Sequence, residues 1–298
     1  MPIDREKALT AEPSVHEIHW TTRDVLLYHL SLGAGAGPAG DPELHLTFEK
    51  GLTVLPTFAL VAGSGISSGE GAAPGFQLPG IDIDLRRVLH AGQGLRIHRP
   101  LPASGTATLT SRVAEVWDKG KAALIVLESA ATGHGGEPLW TATSRVWARG
   151  EGGFSQDSGP DEERVTPPDR PADTLLTSTT TPQQALWYRL NGDLNPLHAD
   201  PEFARAAGLD RPILHGLASY GLVCKALVDG VLGGDATRLT GLAVRFAGTL
   251  VPGESLTTSV WRDGPSDDGT ERLILHVACP ERDGAPVLTH ATATVTAS

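Results

Sequence analysis

The stretch HGLASYGLVCKALVDGVL, His215 to Leu232, is apolar almost all the way round a helical projection and has no polar face for water. Such a helix must be buried. Ala218, Ser219 and Gly221 are small, which lets a sheet wrap closely around the helix, and the segments that follow are rich in β-branched residues. GLAVRFAGTL, SLTTSVWRD, RLILHVACPE and VLTHATATVTA read as strands joined by short turns, Asp283-Gly284 among them, and so as antiparallel sheet. A buried helix wrapped by a curved antiparallel sheet is the expected architecture.

The same order is written twice. TTRDVLLYHLSLGAG (Thr21 to Gly35) lies over TTPQQALWYRLNGDLN, with Tyr28 on Tyr188. GTATLTS lies over GESLTTS and EPLWTAT over APVLTHAT at one shared offset. The first half also carries the strand-like runs ATLTSRVAEVW, KAALIVLES and LWTATSRVWAR, whose Trp117, Trp140 and Trp147 are expected in its core. Each half is expected to place helices early and strands late. Between them, residues 152–173 are rich in Gly, Pro and charge and lack apolar periodicity. The expected division is residues 1–151, a linker at 152–173, and residues 174–298. Two helix-in-sheet units of this kind form a double hot dog, an α+β fold.

Composition limits the function. The chain has 298 residues, 40% hydrophobic and 20% charged, with a formal net charge of −11. That charge opposes binding to a nucleic-acid backbone, and no apolar run approaches the roughly 18 residues that span a membrane. Cys224 and Cys279 show no metal or disulfide spacing. The opening residues lack the basic and apolar blocks of a signal peptide, so a cytoplasmic location is expected. No metal-binding motif, Gly-rich phosphate loop or dinucleotide fingerprint occurs, and no cofactor is expected.

YRLNGDLNPLHAD, Tyr188 to Asp200, concentrates an acid, an amide and an imidazole around an Asn-Pro turn. Taken singly, Asp193 or His198 reads as a loop or capping residue. Together, joined by the Asn195-Pro196 turn, they can converge on one water molecule. His198-x-Asp200 also has the form of a metal fragment but lacks further ligands at useful spacing. Asp200-Pro201-Glu202 reads as the N-cap and first turn of a helix stopped by Gly208. Nine other histidines, His90 among them, show no clustering and are left unassigned.

The segment from Tyr188 through Gly-Asp-x-Asn-Pro-Leu-His to Pro-Ile-Leu-His-Gly resembles the signature of the hydratase 2, or MaoC-like, family of (R)-specific 2-enoyl-CoA hydratases. LTVLPTFALVAGSG, VLHAGQGLRIHRPLP and VRFAGTLVPGESL are similar to segments of the hydratase unit of peroxisomal multifunctional enzyme type 2. The resemblance implies that Asp193 and His198 are the catalytic pair, with an acyl-CoA thioester as substrate and a first half that is catalytically silent. Gly33 and Pro38 stand in that half where the pair would be. Asn195 is expected to orient by hydrogen bonding, and the Gly216 amide, at a helix start, to hold the thioester oxygen. Arg211, Lys225 and Arg245 are candidate contacts for coenzyme A. Dehydration on acyl carrier protein, thioester hydrolysis, and a non-enzymatic acyl-CoA-binding module remain as alternatives, and a homodimer is one open assembly. In the first half, Pro56 begins a counterpart of the buried helix that glycines cut to about one turn. The space left there is expected to take an acyl chain or to be filled by the following loop.

Overall fold

The computed structural model describes residues 2–36, 42–63, 75–84, 87–160, 164–266 and 268–296. Ten strands form one antiparallel sheet: β1 (Ser14–Trp20), β4 (Val88–Ile97), β5 (Gly105–Asp118), β6 (Ala122–Thr132), β7 (Pro138–Arg149), β8 (Thr174–Thr179), β9 (Leu239–Phe246), β10 (Ser255–Pro265), β11 (Thr270–Cys279) and β12 (Ala285–Thr296). β2 (Gly75–Leu78) and β3 (Ile81–Asp84) make a separate hairpin. The main sheet runs β1-β5-β6-β7-β4-β9-β12-β11-β10-β8. This order reads the same from either end once each strand is replaced by its repeat partner. The shared offset is therefore visible as a two-fold arrangement, with β5 opposite β10, β7 opposite β12, and β4 joined to β9 at the centre.

Seven of these strands fall on the runs expected to form them. β1, β4 and β8 do not, and β1 and β8 correct the expected order because β1 precedes α2 and α3 and β8 precedes every helix of the second half. They lie at the two edges of the sheet, each paired on one side, where a short segment needs little apolar patterning. β4 contains Gly92 and Gly94, poor strand formers, yet it is held on both sides, by β7 and by β9.

The helices are α1 (Arg5–Thr10), α2 (Thr22–Ser31), α3 (Leu44–Thr47), α4 (Gln184–Tyr188), α5 (Pro201–Ala206) and α6 (Gly216–Gly230). α6 is the helix expected from its sequence, and its Ala218, Tyr220, Val223, Cys224, Leu227 and Val228 are buried in the main core. Its small residues serve a different neighbour from the one expected. A Cβ on Gly221 would lie 2.8 Å from the Leu32 side chain and from Tyr28 Oη, so the close approach is to the end of α2 in the first half rather than to a sheet. The halves are further joined where Gln184 Nε2 donates to Ser31 O and Asn191 Nδ2 donates to Ser31 Oγ at 2.9 Å. Tyr28 and Tyr188, matched in the repeat, meet with ring centroids 6.1 Å apart.

In the first half, the counterpart of α6 is a single 3-10 turn, Pro56–Leu60. Pro56 cannot donate an internal hydrogen bond and so sits at the start of this turn. Gly63 is described, with φ 78°, but the glycine-rich residues 64–74 that follow it, and Pro38, lie outside the described residues. A second, smaller core lies on the other face of the first half's sheet, where Ile3, Ala8, Ile81 and Ile83 cover Val116, Ile125 and Val146. Of the three tryptophans expected in the core, Trp140 is there, whereas Trp117 lies under the Arg5 guanidinium at 5.2 Å and Trp147 lines an outer cavity.

Candidate active site

α4 ends at Tyr188, and Gly192, with φ 114°, turns the chain out of the following 3-10 turn. That left-handed conformation admits glycine readily. Asp193 follows at the surface, its Oδ1 accepting from Asn195 N at 3.1 Å. Asn195 Oδ1 accepts from Leu197 N at 3.0 Å and so caps the turn Pro196–His198. Asn195 therefore shapes the loop and carries His198 into the interior. Asp200 caps α5 by accepting from Glu202 N and Phe203 N, with Pro201 in the first turn and Gly208 beyond the end at φ 83°.

His198 is 8% exposed and His215 1%. Their rings stack with centroids 3.7 Å apart. His198 Nδ1 lies 2.9 Å from Ile213 O, and His215 Nε2 lies 3.2 Å from Asp193 O. A ring nitrogen facing a carbonyl oxygen donates to it, so the neutral tautomers leave a lone pair on His198 Nε2 and on His215 Nδ1. His215 Nδ1 is buried without a partner. One ligand atom from each of Asp193, His198 and His215 lies within 4.8 Å of the others.

Burial is the first cause that lowers the pKa of His198, with Arg189 also lowering it and the Ile213 carbonyl and Asp193 opposing. Burial and then the neighbouring His198 bring His215 to about 4. Both imidazoles are consequently neutral near pH 7. The resulting group pairs an exposed carboxylate with a neutral imidazole whose free nitrogen is available for proton transfer.

α6 starts beside this pair. His215 is its N-cap, and His215 O accepts from Ala218 N and Ser219 N, so the Gly216 N–H is not needed within the helix. A Cβ at Gly216 would meet the Phe246 ring at 3.1 Å. Glycine keeps that approach open.

The basic residues expected to meet coenzyme A are scattered. Arg211 is exposed in the loop leading to α6. Lys225 bonds Glu43 and Asp229, and lies nine residues along α6 from Gly216, about 13 Å at 1.5 Å per residue. Arg245 alternates with the core residues Val244 and Phe246 and so projects from the opposite face of β9. There it lines a cavity of about 800 Å³ with Arg145, Arg164, Arg272 and His290. The structure thus brings Asp193, His198 and Gly216 together, keeps Asn195 beside them, and does not bring Lys225 or Arg245. His215, quoted in the motif but given no role from sequence, belongs to the group; its place immediately before the helix-start glycine was the available signal.

Two family models meet on this chain: the MFE-2 hydratase 2 N-terminal domain over residues 18–150 and the MaoC like domain over residues 163–277. The enoyl-CoA hydratase ChsH3 of Mycobacterium tuberculosis is 48% identical over 288 residues, 97% of each chain. The chain belongs to the MaoC-like hydratase 2 family. Another member, the peroxisomal enoyl-CoA hydratase 2 of Arabidopsis thaliana, is 39% identical over 82% of each chain. Among solved structures, a MaoC-like dehydratase from Phytophthora capsici superposes with a TM-score of 0.82 at 28% identity, covering 99% of this chain and 98% of that one. The full-length peroxisomal multifunctional enzyme type 2 of Drosophila melanogaster gives 0.76 at 27% identity, over 95% of this chain and 48% of that one. The fold shared with these MaoC-like proteins is the double hot dog. No helix among the described residues is long and apolar enough to cross a membrane.

Proposed function

We propose that this hydratase 2 family member adds water reversibly to trans-2-enoyl-CoA to give (R)-3-hydroxyacyl-CoA. The observation that carries the reading is the meeting of the Asp193 carboxylate and the neutral, tautomer-fixed His198 imidazole beside the free N–H of Gly216. Hydration needs one group to take a proton from water as its oxygen bonds to C3, and one to deliver a proton to C2. Asp193 and His198 supply these roles, and in the reverse direction exchange them. The Gly216 N–H, at the positive end of a 15-residue helix, meets the negative charge that gathers on the thioester oxygen. A donor so placed contributes about 3 kcal/mol or more to the transition state.

In this reading the first half is catalytically silent and accommodates the acyl chain. Support comes from the single turn Pro56–Leu60 standing where the second half has α6. Residues 1–151 and 174–298 then act as chain-binding and catalytic domains, with 152–173 linking them. In this reading the enzyme works in the cytoplasm without cofactor. The decisive assay follows loss of the conjugated enoyl thioester absorbance with crotonyl-CoA and longer substrates, with chiral analysis of the product. An (S) product sinks the stereochemical reading, free coenzyme A reveals a thioesterase, and turnover only on acyl carrier protein moves the enzyme to the dehydratases of that carrier. A steep fall beyond short chains overturns the role given to the first half.

A further inference from the structure

β4 is a strand of the silent half, yet it adjoins β9 at the centre of the sheet and reaches the candidate active site. A bulge between His90 and Gly92 interrupts its pairing with β7 and re-aims the side chain of His90. The imidazole packs against Phe246, with ring centroids 4.7 Å apart. Phe246 is the same ring that a Cβ on Gly216 would touch. One aromatic ring therefore separates His90 from the start of α6. The charge of Asp193 also acts on His90, so the two belong to one electrostatic site.

His90 Nε2 is buried and has no hydrogen-bond partner. A buried polar atom in that condition costs about 1–3 kcal/mol unless something pairs with it. Burial lowers the pKa of His90, with Gln93, the Gly92 backbone and Asp193 opposing, so the ring is neutral near pH 7 and one of its two nitrogens is an acceptor. With the ring proton at Nδ1, the unpartnered Nε2 presents its lone pair as an acceptor. Asp193 and His198 already supply acceptors for the reacting water. The remaining donor on an acyl thioester near its carbonyl is the amide N–H of the carrier arm, two carbons beyond the sulfur.

We propose that His90, from the catalytically silent half, accepts a hydrogen bond from this amide and so fixes the thioester against the Gly216 amide. The inference rests on the thioester reading above. It makes the seam between the halves part of the binding site and gives the silent half a contact with the carrier arm as well as with the acyl chain.

The test compares His90→Ala and His90→Gln with the parent chain. Two pairs of thioesters are used: crotonyl and butyryl thioesters of N-acetylcysteamine, which carry the amide, and of pentanethiol, which lack it. Hydration is followed with the crotonyl compounds and affinity with the inert butyryl compounds by calorimetry. In His90→Ala, KM and Kd should rise roughly tenfold for the amide-bearing thioesters, the worth of one hydrogen bond, and less than about twofold for the alkyl ones, with kcat little changed. Gln retains an acceptor and should restore much of the loss, and its similar polarity protects the fold if Ala does not. Equal losses on both thioesters, or no loss on either, overturn the proposal. A parent chain that binds the butyryl thioesters with the His90 dependence described, but does not hydrate crotonyl ones, overturns the hydratase reading and leaves the His90 contact standing.

Discussion

The rings of His198 and His215 are stacked with centroids 3.7 Å apart, and the carbonyl of Asp193 is hydrogen-bonded to the second of them. His215 thereby supports both members of the proposed catalytic pair, one through its face and the other through its edge. Asp193 and His198 are expected to transfer protons. Asp193→Asn and His198→Gln should each lower kcat by about 100-fold or more while conserving volume and polarity. Thermal melts should move little, because Asp193 is exposed and Gln nearly conserves the volume and polarity of the imidazole. Wild-type turnover in either variant removes that residue from the mechanism.

The legible parts of this protein were those with local causes. α6 announced itself through an apolar surface with no polar face, α5 through Asp200-Pro201 and Gly208, and seven strands through β-branched runs. The repeat was visible because its offset is kept along the second part of each half. What escaped depends on neighbours distant in the chain. β4 carries two glycines and is a strand because β7 and β9 hold it. β1 and β8 are short edges with little apolar demand. His90 shows no local pattern, since its partner Phe246 lies in the other half. Two of the basic residues near the motif in sequence lie away from the pair in space: alternation along β9 sends Arg245 to the far face, and helical rise carries Lys225 away toward Glu43.

Gly216→Ala separates chemistry from stability. Alanine favours the helix relative to glycine by up to about 1 kcal/mol, but its Cβ would stand 3.1 Å from Phe246 and narrow the approach to the amide. We expect kcat/KM to fall more than about tenfold while the melting temperature changes by only a few degrees. Unaltered turnover would show that no oxygen needs to come close to this glycine.

Lys225 and Arg211 should behave in opposite ways. Lys225 is held by Glu43 and Asp229 with its side chain only 14% exposed, so Lys225→Met leaves two carboxylates without their shared cation. Its cost should be about 1–3 kcal/mol of stability, read by denaturant unfolding, with KM for crotonyl-CoA within about twofold of wild type. Arg211 is exposed in the loop before α6, and Arg211→Ala should raise KM for CoA thioesters several-fold without changing stability. A rise in KM confined to the Lys225 variant would reverse these assignments.

Asp193, His198 and His215 also have the donor types of a divalent-metal site. The proton-transfer reading requires no ion there. Dialysis against a strong chelator, with metal content checked by elemental analysis, should leave at least about 80% of the hydration rate. Loss of activity that zinc restores would replace that mechanism with one based on a bound metal.

Acid should loosen the fold before it protonates the ordinary carboxylates. Burial, first among the causes in each case, holds His29 and His215 at about 4 in the folded chain, against about 6.5 when unfolded. His29 is fixed in its neutral form, with Nδ1 facing Leu46 O and Nε2 accepting from Leu55 N. Between these pH values the unfolded chain binds more protons than the folded one, so stability increases with pH through this window. The contribution is fully present above about pH 6.5 and declines as pH falls toward 4. Near pH 5 unfolding should take up about two protons from these histidines, adding a positive slope of roughly 2–3 kcal/mol per pH unit to the unfolding free energy. Chemical denaturation at closely spaced pH values measures the slope. A flat profile from pH 6.5 to 4.5 would mean that these histidines can charge without opening the two buried sites they hold together.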